Sequence, residues 1–345
     1  MIHFRNMSLF VRRLPIHHFA ALLFMLTLLR NGISLYGERF RQFTSDRQPW
    51  FFDFSPTNDP FRRLFESLGF SVGPISFLLF YLGFIFCGTT LISIEIRAYS
   101  SFRRKVFWTF ISLLPGTTII LSRFGTSDCI SFIFAILSAV SKNSKRQYMY
   151  LSCLMLSHIE STLVISIVIA VVSCVGPFQT SFKRFFGSSR PYLTVMFMSL
   201  ILTALNSQEE GSRASQFFPL LKLSVAQALS AGVWLPYSWF GGTILALLFA
   251  LNRIGKNEVV MLSSMVFCLG LFSLITADGT RVATLVLTLP LVSFFVYALE
   301  NELLAPRYLV LGFLFPAINV SNLNVFLPFR QVAYLFGLDL TFISS

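Results

Sequence analysis

The fold is decided by residues 148–175, YMYLSCLMLSHIESTLVISIVIAVVSCV, an apolar run interrupted once by His158 and Glu160. A single helix of these 28 residues is longer than a hydrocarbon core of about 30 Å requires at ~1.5 Å per residue. The alternative is two shorter helices that turn at the His-Glu pair. A hairpin keeps Lys183, Arg184 and every later basic cluster on one side of a membrane, whereas a single span removes that bias. We therefore predict the hairpin.

The composition is typical of a helical membrane protein. Of the 345 residues, 55% are hydrophobic and 12% are charged, and the mean hydropathy is +0.72. Soluble domains carry about 25% charged residues. Because long uncharged runs recur, we predict an all-α, polytopic transmembrane bundle of about eleven spans, forming a single integral membrane domain over residues 1–345. The first span covers about 14–30, and the third, about 106–122, is kinked at Pro115.

Charge is sorted by loop along this predicted topology. With a cytoplasmic N-terminus, one set of loops carries sixteen of the 27 Lys/Arg and four of the 15 Asp/Glu, and the opposite set carries eleven of each. The first set is typical of cytoplasmic loops and predicts a multi-pass membrane protein. The net charge of +12 lies on that side, where anionic lipid and topology account for it. The pattern therefore favours the lipid bilayer over nucleic acid as partner.

The largest polar segment is the extracytoplasmic loop 31–70, in which an amphipathic helix is predicted after Asp59. Asp46 and Asp53 precede that helix and lie among aromatic residues. A carboxylate in such surroundings can have its pKa raised and act as a general base. The alternative is a structural salt bridge, for example to Arg47. Both interpretations stay open.

Four further ionisable residues are placed where membrane segments meet the outer face. His158 and Glu160 interrupt an apolar stretch, at a cost of about 2.5–3.5 kcal/mol each, and such residues usually mark a cavity or pathway. The alternative is a neutral histidine bonded to a carbonyl within the bundle. Asp128 and Asp278 stand at the start of outward-facing helices, where an aspartate can either serve the site or cap the helix.

The pattern of a large acidic-aromatic first loop and three polar outer turns resembles a known family. The turns are Gly125-Thr126-Ser127-Asp128, His158-Ile159-Glu160 and Asp278-Gly279-Thr280-Arg281. The chain resembles the polytopic GT-C glycosyltransferases that use lipid-linked sugars and the related polysaccharide (O-antigen type) polymerases. By this resemblance, the catalytic candidates are Asp46, Asp53, His158 and Glu160. The candidates for binding substrate are Arg47, Arg123, Asp128, Arg213, Asp278 and Arg281.

The function that the resemblance implies is transfer of a sugar from a polyprenyl-phosphate-linked donor at the extracytoplasmic face of the bacterial inner (plasma) membrane, in surface polysaccharide biosynthesis. Arginines would hold the phosphate, a carboxylate would deprotonate the acceptor, and aromatic rings would stack on sugars. A divalent cation is an open question, and no metal ligands are assigned. Other glycan-assembly membrane proteins are candidate partners. A transporter of a lipid-linked saccharide or small solute, and a non-catalytic assembly subunit, remain as alternatives.

Overall fold

The computed structural model describes residues 13–31, 74–122, 128–206, 226, 232, 234–273, 279–315, 317, 319–321, 324–326 and 341–343. Helices form nearly all of the secondary structure in these ranges, which confirms the all-α class. They are α1 (Ile16–Asn31), α2 (Pro74–Glu95), α3 (Ser101–Leu113), α4 (Pro115–Ser122), α5 (Asp128–Val140), α6 (Ser144–Ser157), α7 (Ile159–Cys174), α8 (Gln179–Phe186), α9 (Arg190–Asn206), α10 (Trp234–Phe240), α11 (Ile244–Leu251), α12 (Lys256–Ser273), α13 (Gly279–Glu300) and α14 (Pro306–Gly312).

Short elements complete the described chain. Gly176–Phe178 and Gly241–Thr243 are single turns of 3-10 helix that precede α8 and α11. Near the C-terminus, three strands of three residues each pair antiparallel in the order β1-β2-β3. They are β1 (Asn319–Ser321), β2 (Asn324–Phe326) and β3 (Thr341–Ile343).

The core is built around α13. This helix is apolar on all sides, and 94% of an 18-residue window within Val282–Glu300 is buried in the bundle, as expected for a helix without a solvent-facing stripe. Helices α5 and α12 pack along it, and α3 contributes Phe110, whose ring stacks on that of Phe295 at 3.7 Å between centroids. The helices that carry the predicted site residues are therefore held against one central element.

The predicted hairpin is confirmed by the contacts at its two ends. The Gln147 amide, near the start of α6, donates hydrogen bonds to the carbonyl of Phe186 at 3.5 Å and to the hydroxyl of Tyr192 at 3.1 Å. If α6 and α7 formed one straight rod, Gln147 and the end of α7 would lie ~40 Å apart, too far for the eight-residue α8 to close the gap. The chain therefore reverses at His158.

All four carboxylates that the sequence assigns to cytoplasmic loops are ion-paired at one end of the bundle, here named the charged end. Three of the pairs connect the loops of Glu95, Lys142 and Glu300, and the fourth connects the loops of Arg184 and Glu258. Because Lys142, Arg184 and Glu300 line one cavity, these five predicted inner loops meet at the same end. The pairs are Arg146–Glu95 (3.0 Å), Lys142–Glu300 (2.5 Å), Arg103–Glu302 (2.9 Å) and Arg184–Glu258 (2.9 Å). The pairs of Glu300 and Glu302 are exposed and contribute little to stability, whereas the carboxylates of Glu95 and Glu258 are largely buried. The positions of all four pairs show which loops are neighbours.

A tyrosine extends this network at the same end. The Tyr99 hydroxyl donates a hydrogen bond to Glu300 at 2.7 Å. Burial, and then this bond to a carboxylate, raise the pKa of Tyr99, so its hydroxyl keeps its proton. The charged end is therefore held by neutral as well as ionic contacts.

The structure supports fewer full-length spans than the eleven predicted. In the described ranges, Val282–Glu300 is long and apolar enough to cross a membrane. The helical segments Ile159–Cys174 and Gly176–Phe186 meet at 97°, and they give a second span if they are counted as one. A buried helix at the core of a soluble protein can meet the same criterion. Breaks shorten the other helices; the predicted kink is confirmed as the break at Leu114, before Pro115. The shorter apolar helices are Ile16–Asn31, Leu82–Glu95, Asp128–Val140, Arg190–Ala204 and Leu235–Leu251.

Large apolar side chains cover much of the outside of the bundle. Phe86 on α2, Phe197 on α9 and Phe267 on α12 are 72%, 60% and 62% exposed. Large exposed apolar side chains on several helices are typical of surfaces that lipid or protein covers.

Candidate functional site

The end of the bundle away from the charged end gathers three of the predicted site residues. Helix α5 ends at Val140, next to the Lys142–Glu300 pair of the charged end. Its first residue, Asp128, therefore lies at the other end of the bundle. Helices α6 and α7 meet there at His158, and Glu160 lies in the first turn of α7. A hydrogen bond of 2.9 Å between the hydroxyls of Ser131 and Ser157 ties α5 to this turn. We name this region the opposite end.

Asp128 is 2% exposed and lies in the first turn of α5. The partial positive charge of a helix N-terminus stabilises a carboxylate in this position. This placement agrees with one of the two predictions from the sequence, that Asp128 stabilises the start of its helix. The carboxylate also lies at the same end of the bundle as His158.

His158 forms the break itself. Its backbone is extended (φ −160°, ψ 85°), and its Nδ1 accepts a hydrogen bond from the backbone N–H of Ser161 at 3.3 Å, so it caps α7. Since Nδ1 accepts, the neutral ring carries its proton on Nε2, which is a donor. The capping bond uses Nδ1 alone, so it agrees with a structural role and leaves the alternative of a carbonyl bonded to the other ring nitrogen open. Glu160 is half-buried one turn into the helix.

The remaining predicted site residues fall outside what the structure describes. Arg281 lies in the first turn of α13, but its side chain is not described. The extracytoplasmic loop 31–70, with its predicted amphipathic helix, also lies outside the described residues from position 32 onward. The residues beyond the description are Asp46, Arg47, Asp53, Arg123, Arg213 and Asp278.

A polar cluster at the end of α1 was not predicted from the sequence. Lys105 lies close to Arg103 of the charged end, and its Nζ donates a hydrogen bond to the carbonyl of Leu14. Helix α1 therefore starts at the charged end, and its last residues, Arg30 and Asn31, lie at the opposite end. Arg30 Nε donates to the carbonyl of Phe315 at 3.0 Å, and Nη1 donates to Asn31 Oδ1 at 3.3 Å. Thr118 Oγ1 donates to the same Asn31 oxygen at 2.8 Å.

The signal for this cluster in the sequence is weak. Arg30 and Asn31 follow an apolar run, where polar residues commonly mark nothing more than the membrane interface. Their burial depends on α4, α10 and the segment after α14, which are distant in sequence. Only the tertiary contacts distinguish the cluster from an interfacial helix end.

An apolar groove of about 790 Å³ lies between α1 and α2, with α3, α4 and α5 as its floor. Ile16 and Ser93 line the part nearest the charged end, and Thr27, Leu28 and Thr117 line the part nearest the opposite end. The groove therefore follows the bundle from one end to the other and leads towards Arg30 and Asn31.

A second, polar cavity of about 260 Å³ lies at the charged end, with Lys142, Lys183, Arg184 and Glu300 in its lining. Lys142 and Arg184 are already ion-paired with glutamates there. The opposite end, which combines a buried carboxylate, an imidazole and an apolar groove, is the better candidate for chemistry on an amphiphilic substrate.

In the ranges that the structure describes, no group of three His, Cys, Asp or Glu side chains is arranged to hold a metal ion. Comparison of the chain with protein-family models, with curated proteins and with solved structures finds no match.

Proposed function

We propose that this protein is a membrane glycosyltransferase or polymerase that takes a sugar from a polyprenyl-phosphate-linked donor. The observation that carries the proposal is the separation of charge. The glutamates of the lysine-rich loops are ion-paired at the charged end, whereas Asp128, His158 and Glu160 collect at the other end, towards which an apolar groove leads. A substrate with a hydrocarbon tail and a polar head suits that arrangement.

The exposed apolar side chains of α2, α9 and α12 support a location in a bilayer. We propose that α13 and the shorter apolar helices, together with the rest of the chain, make up the polytopic bundle of about eleven spans. The charged end would face the cytoplasm of a bacterial cell, as the excess of Lys and Arg predicts. The opposite end would face outwards, where lipid-linked saccharides are assembled into surface polysaccharide.

The proposed reaction needs one base and a site for the leaving phosphate. The acceptor hydroxyl oxygen bonds to the anomeric carbon, the bond from that carbon to the phosphate oxygen breaks, and the polyprenyl phosphate leaves with the electron pair. The hydroxyl proton passes to a carboxylate, for which Asp46 and Asp53 are the candidates. The Nε2 proton of His158 can be donated to a phosphate or sugar oxygen.

Single substitutions test the proposal in a deletion strain that carries the variant gene. We expect Asp46→Asn, Asp53→Asn, His158→Gln and Glu160→Gln to include at least one variant that loses glycan by about 10²-fold or more, as for removal of a general base. The matched control is Glu302→Gln, the same change in an exposed residue at the charged end. Normal glycan in all four variants, at normal protein level, would contradict the proposal.

A transporter of a lipid-linked saccharide is the second candidate, and the length of the apolar groove favours it. A carrier would move a labelled polyprenyl-linked saccharide across liposomes without lengthening any glycan. A transferase would lengthen the glycan without such movement. A non-catalytic assembly subunit would do neither when purified.

A further inference from the structure

We propose that Arg30 and Asn31 bind the phosphate of a single-chain lipid whose hydrocarbon tail lies in the apolar groove. The proposal deepens the proposed function, since it names the place where a polyprenyl phosphate would be held. Neither residue is among those that the sequence pattern assigned to the site.

The first observation is a pair of buried donors without acceptors. Asn31 is 1% exposed, and its Oδ1 accepts from both Thr118 and Arg30, but its Nδ2 has no hydrogen-bond partner among the residues that the structure describes. The Nη2 atom of Arg30 is also buried, and no hydrogen bond joins it to any of the described residues. A buried donor left unsatisfied costs about 1–3 kcal/mol, and more when it is charged. Two such donors on adjacent residues are a site for an acceptor.

The second observation concerns charge. Arg30 contacts the carbonyl of Phe315, the amide oxygen of Asn31 and the hydroxyl of Tyr237, all of which are uncharged groups. In the part of the chain that the structure describes, no carboxylate forms an ion pair with it, in contrast to the four pairs at the charged end. A partly buried guanidinium without a counter-ion favours an anion, and phosphate matches its N–H geometry.

The third observation is the position of the pair relative to the groove. Residues 16, 20, 23 and 27 of α1 line the groove at helical spacing, and 30 and 31 continue the same stripe by one turn. On the groove floor, Thr117 is the neighbour of Thr118, which binds Asn31. The donors therefore stand at the end of the groove that lies away from the charged end.

The fourth observation identifies the tail as hydrocarbon. The groove is lined by several hydroxyl-bearing residues, and each donates its proton to a backbone carbonyl. Thr27 bonds to Leu23, Ser112 to Thr109, Thr117 to Ile111, Thr89 to Phe86 and Ser93 to Thr89. The lining therefore offers almost no donors to a ligand and suits an alkyl or prenyl chain rather than a sugar.

The test is native mass spectrometry of the full-length protein in detergent, with undecaprenyl phosphate, undecaprenol, oleate and inorganic phosphate as separate probes. We expect undecaprenyl phosphate to bind more tightly than the other three. Arg30→Gln should weaken that binding by about tenfold or more, as should Asn31→Asp, which keeps the acceptor for Thr118 but places a negative charge beside the guanidinium.

Two controls separate head from tail. Arg13→Gln removes the same charge at an exposed residue just before the start of α1 and should leave binding unchanged. Ala20→Phe fills the groove and should weaken undecaprenyl phosphate and undecaprenol alike. Three results would overturn the proposal. They are equal binding of undecaprenol and undecaprenyl phosphate, equal or tighter binding of oleate or inorganic phosphate, and a loss of binding in Arg13→Gln as large as that in Arg30→Gln. Lipid phosphate binding without any glycan defect would leave this site intact and contradict the transferase function instead.

Discussion

At the scale of single residues, His158 combines a capping role, which the structure shows, with a candidate role in the site, which the sequence predicts. Its Nδ1 caps α7 by accepting from the N–H of Ser161, and the ring still has a second nitrogen that can donate. Its structural role and its proposed contact with substrate therefore use different atoms, and substitutions can separate them.

His158→Asn should keep the cap, because an asparagine side chain accepts from the same backbone N–H, whereas His158→Ala should lose it. We expect the alanine variant to be less stable by about 0.5–2 kcal/mol and the asparagine variant to be close to wild type. Thermal unfolding in detergent measures the difference. Equal stability of the two variants would show that the cap contributes nothing. Loss of glycan in the stable asparagine variant would indicate that Nε2 is needed for function.

At the scale of elements, close backbone approach joins α14 to the 3-10 turn before α11. A Cβ atom added to Gly312 would overlap the carbonyl oxygen of Gly242, and one added to Gly242 would lie 2.6 Å from the carbonyl oxygen of Gly312. Small residues allow such contacts between helical segments, as they do in membrane bundles. The same pairing holds Phe315 near Arg30.

Gly312→Ala should therefore destabilise the protein by about 1–3 kcal/mol through overpacking. The control is Gly83→Ala on α2, where an added Cβ meets nothing within 4 Å. That change should be neutral or stabilising by up to about 1 kcal/mol, because alanine favours the helix. Unfolding temperatures of the two variants decide the matter; a smaller loss for Gly312→Ala than for Gly83→Ala would refute the packing argument.

At the scale of the whole molecule, the two ends of the bundle differ in how their charges are satisfied. At the charged end, cations and carboxylates from five loops pair across the surface. At the opposite end, Asp128 and the donors of Arg30 and Asn31 are buried close to helix ends. This difference predicts an orientation in the membrane as well as a working face.

Cysteine labelling tests that orientation, in a background from which the five native cysteines have been removed. Glu302→Cys, at the exposed charged end, should react with an impermeant reagent only after the cells are broken open. Glu160→Cys should react in intact cells. The reverse result would place the proposed site in the cytoplasm, where polyprenyl-linked surface glycans are not polymerised by this route.

The sequence predicted those features of the fold that depend on a short stretch of chain. The hairpin at His158 and the break before Pro115 were predicted because a charge bias and a proline each act on a short stretch. The described ranges contain fewer full-length apolar helices than the eleven predicted spans, because an apolar run does not reveal where a helix bends, as α7 and α8 do at 97°. Arg30 and Asn31 were missed because their partners come from Thr118, Tyr237 and Phe315, far along the chain.

The sequence by itself determined the helical class and the sorting of charge into two sets of loops, because hydrophobic runs and basic clusters are properties of continuous segments. Only the tertiary structure decided that the two sets gather at opposite ends and that an apolar groove runs between them. It also decided that two buried donors stand at one end of that groove. The reason is physical: burial, ion pairing and an unsatisfied hydrogen bond depend on which distant segments pack together, and no single stretch of sequence specifies that.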